Sequence, residues 1–140
     1  MAEAIREAEI SIAEGGLPIG AVLSRDSKII ARGHNRRVQE QNAILHGEMS
    51  CMRNAGLIPF HDTVMYTTLS PCSMCAGAIG LFKLSLLVIG ESVTFPGSKD
   101  ILAQFGIPYL DLDDERSVNM MKSWRSVPAN ERLWQGDIGN

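Results

Sequence analysis

Three short runs of β-branched and aliphatic residues dominate the second half of this sequence, and each is separated from the next by a segment long enough for a helix. The runs cover residues 63–68, 84–89 and 107–112. Strands that alternate with helices pair in parallel through right-handed crossovers. Two earlier runs, 19–24 and 28–35, are separated by only three residues, which predicts an antiparallel hairpin. The sequence therefore predicts an α/β fold, a three-layer α/β/α sandwich around a five-stranded mixed sheet.

Helices are indicated on either side of these strands. Apolar residues at helical spacing stop at Gly15, so a first helix is expected over 2–14, and a second is expected over 46–55. Ser70 followed by Pro71 is a favourable N-cap and first helical residue, which predicts that a third helix begins there. The expected order is α-β-β-α-β-α-β-(α)-β-α.

Length and charge limit the class of protein. The chain has 140 residues, which fits one domain over 1–140. Its net charge of -3 gives no basic surface for nucleic acid. The most apolar stretch is interrupted by Lys83 and is too broken to span a membrane, and residues 1–14 lack the apolar core of a secretory signal. We therefore expect a cytoplasmic protein that binds neither nucleic acid nor membranes.

Two of the three cysteines, Cys72 and Cys75, stand in a Cys-x-x-Cys spacing directly after the run at 63–68. They are expected on one face at the start of the next helix, where the positive helix end favours thiolates. This spacing alone serves a metal site or a redox pair equally well. His46 would add an imidazole from the start of the preceding helix. One His and two Cys form a three-ligand set that leaves the fourth position of zinc open, as in catalytic sites.

Glu48 follows His46 by two residues, a spacing that directs the two side chains to different sides of a helix. Its carboxylate is therefore expected to move protons rather than to bind the metal. His-x-Glu combined with Pro-Cys-x-x-Cys is the pattern of zinc-dependent nucleobase deaminases. A closed structural zinc site would need a fourth ligand from Cys51, His34 or His61. Cys51 lies about 140° around the helix from His46 and is interpreted as a core residue, and His61 as a surface residue.

Further segments along nearly the whole chain match one known family. They are 14–20 (EGGLPIG), 33–35 (GHN), 45–50 (LHGEMS), 66–75 (YTTLSPCSMC), 77–79, 88–95 (VIGESVTF), 113–116 (DDER) and 134–139 (WQGDIG). On these motifs the chain resembles the cytidine deaminase superfamily, and within it the fungal-type cytosine deaminases. His-Gly-Glu and the terminal Trp-x-x-Asp-Ile-Gly are the motifs more specific to the cytosine deaminase branch.

This resemblance implies a role for each residue of the site. His46, Cys72 and Cys75 would hold one zinc ion per chain. Glu48 would carry protons from the activated water to a ring nitrogen and to the departing amine. The substrate-binding residues would be Asn35 and the Gly47 N–H at the polar edge of the ring, the Ser70 carbonyl at the exocyclic amine, Asp137 at a ring N–H, and Phe95 and Trp134 over the base.

The resemblance also implies an activity, that of a zinc-dependent hydrolase that cleaves a C–N bond of a cyclic amidine. The expected reaction is cytosine to uracil and ammonia, as part of pyrimidine salvage. A homodimer is implied too, and the apolar segment 74–82 offers an outward-facing surface for it. Gln135 and Gly136 stand where the fungal pattern has an aromatic residue and an acid. Another ring therefore remains an alternative substrate: isocytosine, guanine, a creatinine-like ring or a triazine.

Two more distant functions also stay open. A tRNA adenosine deaminase shares the zinc motif and the fold. However, residues 111–140 carry six acidic and four basic side chains, where an RNA-binding terminus would be basic. Arg36 and Arg37 form the only local basic cluster and are interpreted as a solvated surface pair. The other function is that of a zinc-stabilised binding protein without turnover.

Overall fold

The computed structural model describes residues 1–137, and its elements follow the expected order with one addition. The strands are β1 (Gly20–Arg25), β2 (Lys28–His34), β3 (Val64–Leu69), β4 (Leu86–Glu91) and β5 (Tyr109–Asp111). The helices are α1 (Ala2–Ala13), α2 (Gly47–Ala55), α3 (Ser73–Leu81), α4 (Lys99–Gln104), α5 (Glu115–Arg125) and α6 (Pro128–Asp137). The addition is α6, because only one helix was expected after the last strand. Ile138 and Gly139 of the terminal motif lie outside the described residues.

The five strands form one mixed sheet in the order β2-β1-β3-β4-β5. β1 pairs antiparallel with β2 and with β3, whereas β3, β4 and β5 are parallel. The hairpin turn between β1 and β2 consists of Asp26 and Ser27, whose φ angles are 49° and 62°. Two consecutive residues with positive φ are what a type I′ hairpin turn requires. The predicted hairpin and the predicted mixed sheet are therefore confirmed.

Helices cover both faces of the sheet. In β1, the backbone of Gly20 packs against α1 at Ala8, whereas Leu23 faces the opposite way and shares a core with Cys51 of α2. α3 and α4 complete the layer formed by α2, and α5 packs beside β4 on the face that carries α1. A side chain at Gly33 would collide with the backbone of Cys51, so glycine lets α2 approach β2 closely. The three-layer α/β/α sandwich is confirmed.

A second, smaller core lies beneath α6. It contains Leu17, Ile19, Leu69, Met121, Trp124 and Trp134. These residues come from the loop before β1, the end of β3, and the last two helices. No helix within residues 1–137 combines the length and the apolar character needed to cross a membrane.

The start of α3 differs from the prediction. The Ser70 backbone N–H donates to the carbonyl of Glu91, and its hydroxyl donates to the carbonyl of Pro96. Ser70 therefore ends the sheet rather than capping a helix. Cys72 is the N-cap, two residues later, and its φ and ψ of -70° and 174° are extended. The predicted N-cap was wrong because the hydroxyl of Ser70 binds a loop that is distant in sequence.

Candidate metal and substrate site

Three metal-binding side chains converge where α2 and α3 begin. His46 is the N-cap of α2, Cys72 is the N-cap of α3, and Cys75 lies in the first turn of α3. Sγ of Cys72 is 3.4 Å from Nδ1 of His46, and the candidate ligand atoms of all three lie within 4.8 Å of one another. Tetrahedral zinc, with bonds of about 2.0–2.3 Å, separates its ligand atoms by roughly 3.5–4 Å. The group therefore has the donor atoms and the spacing to hold zinc.

The other candidate ligands lie elsewhere, and the group has three members within residues 1–137. The two ring nitrogens of His34 are 2.8 Å and 3.0 Å from carboxylates of Glu7 and Glu14. Cys51 is fully buried in the main core, and His61 is exposed. The interpretations of Cys51 as a core residue and His61 as a surface residue are confirmed. Three protein ligands are typical of an open catalytic zinc site rather than a closed structural one.

Neighbouring groups set the protonation of these ligands. A hydrogen bond from Cys75 lowers the pKa of Cys72 to about 4, and His46 acts in the same direction. The same hydrogen bond, together with burial, raises the pKa of Cys75. Burial lowers the pKa of His46, but Cys72 and Asp137 outweigh it and bring that pKa to about 9. Zinc is bound by thiolates and by neutral imidazole, so binding of zinc to this group is coupled to the release of protons.

Glu48 lies beside the metal-binding group, in the first turn of α2, and only 3% of the residue is exposed. The hydroxyl of Thr67 donates a hydrogen bond of 3.2 Å to its Oε1. Burial is the main cause that raises the pKa of Glu48, and the Cys72 thiolate adds to it. A carboxyl group with a raised pKa beside a metal site is suited to accept and return protons.

A pocket of about 290 Å³ opens above the metal-binding group. Its lining residues are Ile19, His46, Glu48, Leu69, Ser70, Cys72, Phe95, Trp134 and Asp137. Phe95 and Trp134 pack edge to face, with ring centroids 6.0 Å apart and an interplanar angle of 81°. The pocket therefore joins two aromatic side chains to the metal-binding group and to two acidic residues, Glu48 and Asp137.

Not all of the predicted substrate-binding residues line this pocket. Ser70, Phe95, Trp134 and Asp137 do so. Asn35 and Gly47 are not among the lining residues but adjoin them: Asn35 is fully buried and contacts Asp137, and a Cβ on Gly47 would lie 2.9 Å from the carbonyl oxygen of Ile19. The structure therefore brings all six together, with two in supporting positions.

Two lining residues, Ile19 and Leu69, were missed by the sequence analysis. Leu69 lies two residues after Thr67 in β3, so the two side chains point to the same face of the sheet. This alternation is the signal that would have found Leu69. Ile19 has no comparable signal, because its place in the pocket follows from the packing of the loop before β1 against α6.

The carboxylate of Asp137 enters the pocket from the end of α6. Its Oδ1 accepts a hydrogen bond of 3.2 Å from Nδ2 of Asn35, and lies 3.6 Å from Nε2 of His46 and 3.9 Å from Nε of Arg37. Burial raises the pKa of Asp137, while His46, Asn35 and Arg37 favour its ionised form. Because Trp134 lies one turn earlier, α6 supplies both an apolar and an acidic group to the pocket.

Comparison with known proteins assigns the family. Residues 1–91 match the family model of the cytidine and deoxycytidylate deaminase zinc-binding region. The chain therefore belongs to the cytidine deaminase superfamily, a class of zinc-dependent hydrolytic deaminases that act on C–N bonds. This agrees with the expected zinc cofactor and with the His-Cys-Cys group that could hold it.

Individual relatives act on different rings. Cytosine deaminase from Candida albicans is 41% identical over 140 residues, which cover 97% of this chain and 92% of that protein. A tRNA-specific adenosine deaminase from Streptococcus pyogenes is 40% identical over 133 residues, covering 92% of this chain and 80% of that protein. Among solved structures, guanine deaminase from Nitrosomonas europaea shares the fold with a TM-score of 0.76 at 21% identity, covering 90% of this chain and 82% of that one. The resemblance to cytosine deaminases is confirmed, while identity alone does not separate the first two relatives.

Proposed function

We propose that the chain hydrolyses a free nucleobase, with cytosine as substrate and uracil and ammonia as products. The observation that carries this proposal is the buried carboxylate of Asp137 inside the pocket. A carboxylate at this place accepts a ring N–H. Cytosine carries such an N–H at the nitrogen that bears the ribose in cytidine. A nucleoside would bring its sugar instead of this N–H to the buried carboxylate, and a site built to bind a substrate N–H disfavours an analogue that lacks it. The identity to the Candida albicans cytosine deaminase supports the same substrate.

Within this proposal, His46, Cys72 and Cys75 would hold one zinc ion per chain. When bound, zinc lowers the pKa of a water molecule so that the water attacks as a nucleophile near neutral pH. Glu48 accepts a proton from that water at a carboxylate oxygen and delivers it to the ring nitrogen next to the reacting carbon. It then accepts the remaining proton from the hydroxyl group on that carbon and passes it to the amine, so that the C–N bond breaks, the carbonyl forms and ammonia leaves. The hydrogen bond from Thr67 holds the Glu48 carboxylate in place for both transfers.

The base is recognised by polar groups beneath an aromatic cover. Asn35 bonds Asp137 through one N–H, and its Oδ1 accepts the backbone N–H of Arg37 at 3.1 Å. An amide retains one further N–H and one lone pair after these bonds. These can meet the polar edge of the ring together with the N–H of Gly47. The backbone carbonyl of Ser70 accepts a hydrogen bond from the exocyclic amine, which completes the polar contacts to the base.

Phe95 and Trp134 form the cover over the base. Trp134 is 3% exposed and packs edge to face against Phe95. Aromatic walls exclude water, which strengthens the hydrogen bonds and electrostatic contacts inside the pocket. We propose that the rings of Phe95 and Trp134 close the site during the reaction.

Deamination of adenosine in tRNA is the second candidate, because the Streptococcus pyogenes relative is 40% identical over 133 residues. Two features disfavour it. The segment 111–140, which contains α5 and α6, has six acidic and four basic residues, whereas an RNA-binding surface is basic. In addition, the buried side chain of Trp134 lines the pocket, whereas a flipped-out nucleotide needs an opening for its backbone.

A substrate screen on the zinc-loaded protein separates these candidates. Ammonia release is measured with cytosine, isocytosine, guanine, adenine, cytidine, a triazine and an anticodon stem-loop RNA, each at low and high salt. Turnover of cytosine that does not depend on salt supports the proposal. Deamination confined to the RNA, with a steep loss at high salt, would assign the second candidate instead. Full zinc content without ammonia from any compound would point to a zinc-stabilised binding protein.

We further propose that two chains form a homodimer. Ile44, Leu57, Leu81 and Phe82 are exposed by 55%, 105%, 67% and 47% and lie around the ends of α2 and α3. Two of them, Leu81 and Phe82, belong to the segment 74–82 expected at the interface. Large exposed apolar patches mark association surfaces. Solution scattering that gives twice the mass of one chain supports the dimer, and a monomer at working concentration contradicts it.

We also predict a cytoplasmic location, a role in pyrimidine salvage and a single domain over 1–140.

A further inference from the structure

Arg36 and Arg37 are not the solvated pair that the sequence suggested, because each binds a different part of the chain. Arg36 faces α1 and its own loop, where it pairs with Glu14 and Glu40. Arg37 faces α6, and its side chain is 23% exposed. The two neighbours are thus of equal charge and similar burial, but only Arg37 contacts the helix that carries Asp137.

Arg37 links the two chain segments that form the polar edge of the pocket. Nη1 of Arg37 donates a hydrogen bond of 3.2 Å to the carbonyl oxygen of Leu133, and Nε lies 3.9 Å from Oδ1 of Asp137. The backbone N–H of the same residue donates to Oδ1 of Asn35 at 3.1 Å. One residue therefore holds the amide after β2 and the end of α6 together.

Gly136 gives the guanidinium its place against α6. A Cβ at this position would lie 2.6 Å from Nη2 of Arg37. Glycine lowers the stability of a helix, so helix formation does not explain why position 136 is glycine. The close approach of the Arg37 guanidinium explains it, because any side chain would occupy the same space. Position 136 is also one of the two at which the sequence departs from the fungal pattern.

The two halves of α6 are tied to different parts of the protein. The first half is held to α5, because Glu131 pairs with Arg125 at 2.7 Å and Nδ2 of Asn130 donates to the carbonyl of Trp124. The second half, with Asp137, contacts Arg37 and Asn35. Loss of Arg37 would therefore remove one attachment of the end of the helix, which Trp134 also anchors in the second core, while the start stays attached to α5.

We propose that Arg37 is a positioning residue for base recognition, which holds the end of α6 closed so that Trp134 and Asp137 meet a base that Asn35 also contacts. The inference rests on the proposed function for the identity of the ligand. The attachment of α6 by Arg37 is measurable without any ligand. A guanidinium suits this role because its planar fork can bind the carbonyl of Leu133 and face a carboxylate at the same time.

The test compares Arg37→Ala, Arg37→Lys and Gly136→Ala with Arg36→Ala as the matched control, all as zinc-loaded protein. The readouts are kcat and KM for cytosine, and hydrogen–deuterium exchange of residues 128–137. For Arg37→Ala we expect KM to rise on the order of tenfold, as for loss of one charge-assisted hydrogen bond, with kcat changed by less than about twofold. Exchange should accelerate at 133–137 and stay unchanged at 131 and 132, where the N–H of Glu131 donates to the carbonyl of Val127.

The other variants sharpen the result. The KM of Arg37→Lys should lie between those of the unmodified protein and Arg37→Ala. An ammonium group can bind one of the two acceptors but lacks the planar pair of N–H donors of a guanidinium. Gly136→Ala should raise KM as well, although alanine favours the helix, because its methyl group displaces the guanidinium. Arg36→Ala should change neither readout. Unchanged KM and exchange in Arg37→Ala, or equal changes in Arg36→Ala, would overturn the inference. Failure of the proposed function would look different, since the unmodified protein would then release no ammonia from cytosine.

Discussion

Nε2 of His46 lies 3.6 Å from Oδ1 of Asp137, while Nδ1 of the same imidazole lies 3.4 Å from Sγ of Cys72. The ring thus divides its two nitrogens between the metal-binding group and a carboxylate from the end of α6. Carboxylates that contact a metal-binding histidine orient the ring and tune its basicity. Asp137 therefore connects the two parts of the site, the group that could hold zinc and the edge that would bind a base.

This connection makes Asp137→Asn an informative change. The amide keeps the shape and one acceptor but loses the charge that faces a ring N–H and His46. We expect kcat/KM for cytosine to fall by roughly 10- to 100-fold, as for other groups that support a metal ligand. Steady-state kinetics with zinc measured on the same samples check this. Asp113→Asn is the control, since Asp113 is exposed and asparagine tolerates its positive φ of 48°. An unchanged kcat/KM in Asp137→Asn would contradict the assigned role.

Glu48→Gln separates proton transfer from metal binding. Glutamine fills the same buried space beside Thr67 but cannot accept and return a proton. We expect kcat to fall by about 10²- to 10⁴-fold, the usual contribution of a general acid–base group, with zinc content unchanged. Ammonia release and zinc per chain are measured together, with the exposed Glu9→Gln as control. A rate near that of the unmodified protein would remove Glu48 from the mechanism.

The two classes of cysteine give a matched pair of variants. Cys72→Ala should lose zinc, and its melting temperature should no longer rise when zinc is added, because a ligand stabilises only the form that binds it. Cys51→Ala should keep zinc and lose about 1 kcal/mol of stability from the buried core. Zinc analysis and thermal denaturation provide both readouts. One zinc per chain retained in Cys72→Ala would show that the ligand set is different.

The cap of α5 links stability to pH. The Asp114 carboxylate accepts hydrogen bonds from the backbone N–H groups of Arg116 and Ser117, and the Arg116 side chain lowers its pKa from 3.8. A lowered pKa in the folded state means that the stabilisation is present above 3.8 and is lost as the pH falls through the folded-state pKa. We expect Asp114→Ala to cost about 1 kcal/mol at pH 7 and progressively less on acidification.

Urea denaturation at several pH values measures this dependence on Asp114. Glu115→Ala removes the same charge from the same helical turn without the cap and should cost less than about 0.5 kcal/mol. Equal losses for the two variants, or a loss in Asp114→Ala that does not change with pH, would show that the capping bonds do not contribute as described.

Sequence patterns predicted those parts of the molecule that depend on neighbouring residues. The hairpin with its turn at Asp26 and Ser27 follows from two β-like runs separated by three residues, and the other strands follow from short β-branched runs. The convergence of His46, Cys72 and Cys75 was also predictable, because each thiol or imidazole stands at the start of a helix that follows a strand or loop on the same side of the sheet.

The features that sequence patterns missed depend on partners distant in the chain. The place of α6 is set by the packing of Trp134 on Leu17 and Leu69, which no local period reveals. Ser70 has the sequence of an N-cap, but Pro96 offers its hydroxyl a better-placed acceptor. The role of Arg37 is likewise invisible beside Arg36, because only the fold shows which of two adjacent guanidinium groups faces α6.

In the proposed function, the site acts on a free base because the Asp137 carboxylate occupies the edge where a nucleoside would carry its sugar. The most direct measurement is kcat/KM for cytosine and for cytidine, determined on one zinc-loaded preparation. We expect cytosine to be preferred by at least about 10⁴-fold, the discrimination reached when a site built to hydrogen-bond a substrate N–H meets an analogue that lacks it. Equal or faster turnover of cytidine would contradict the account.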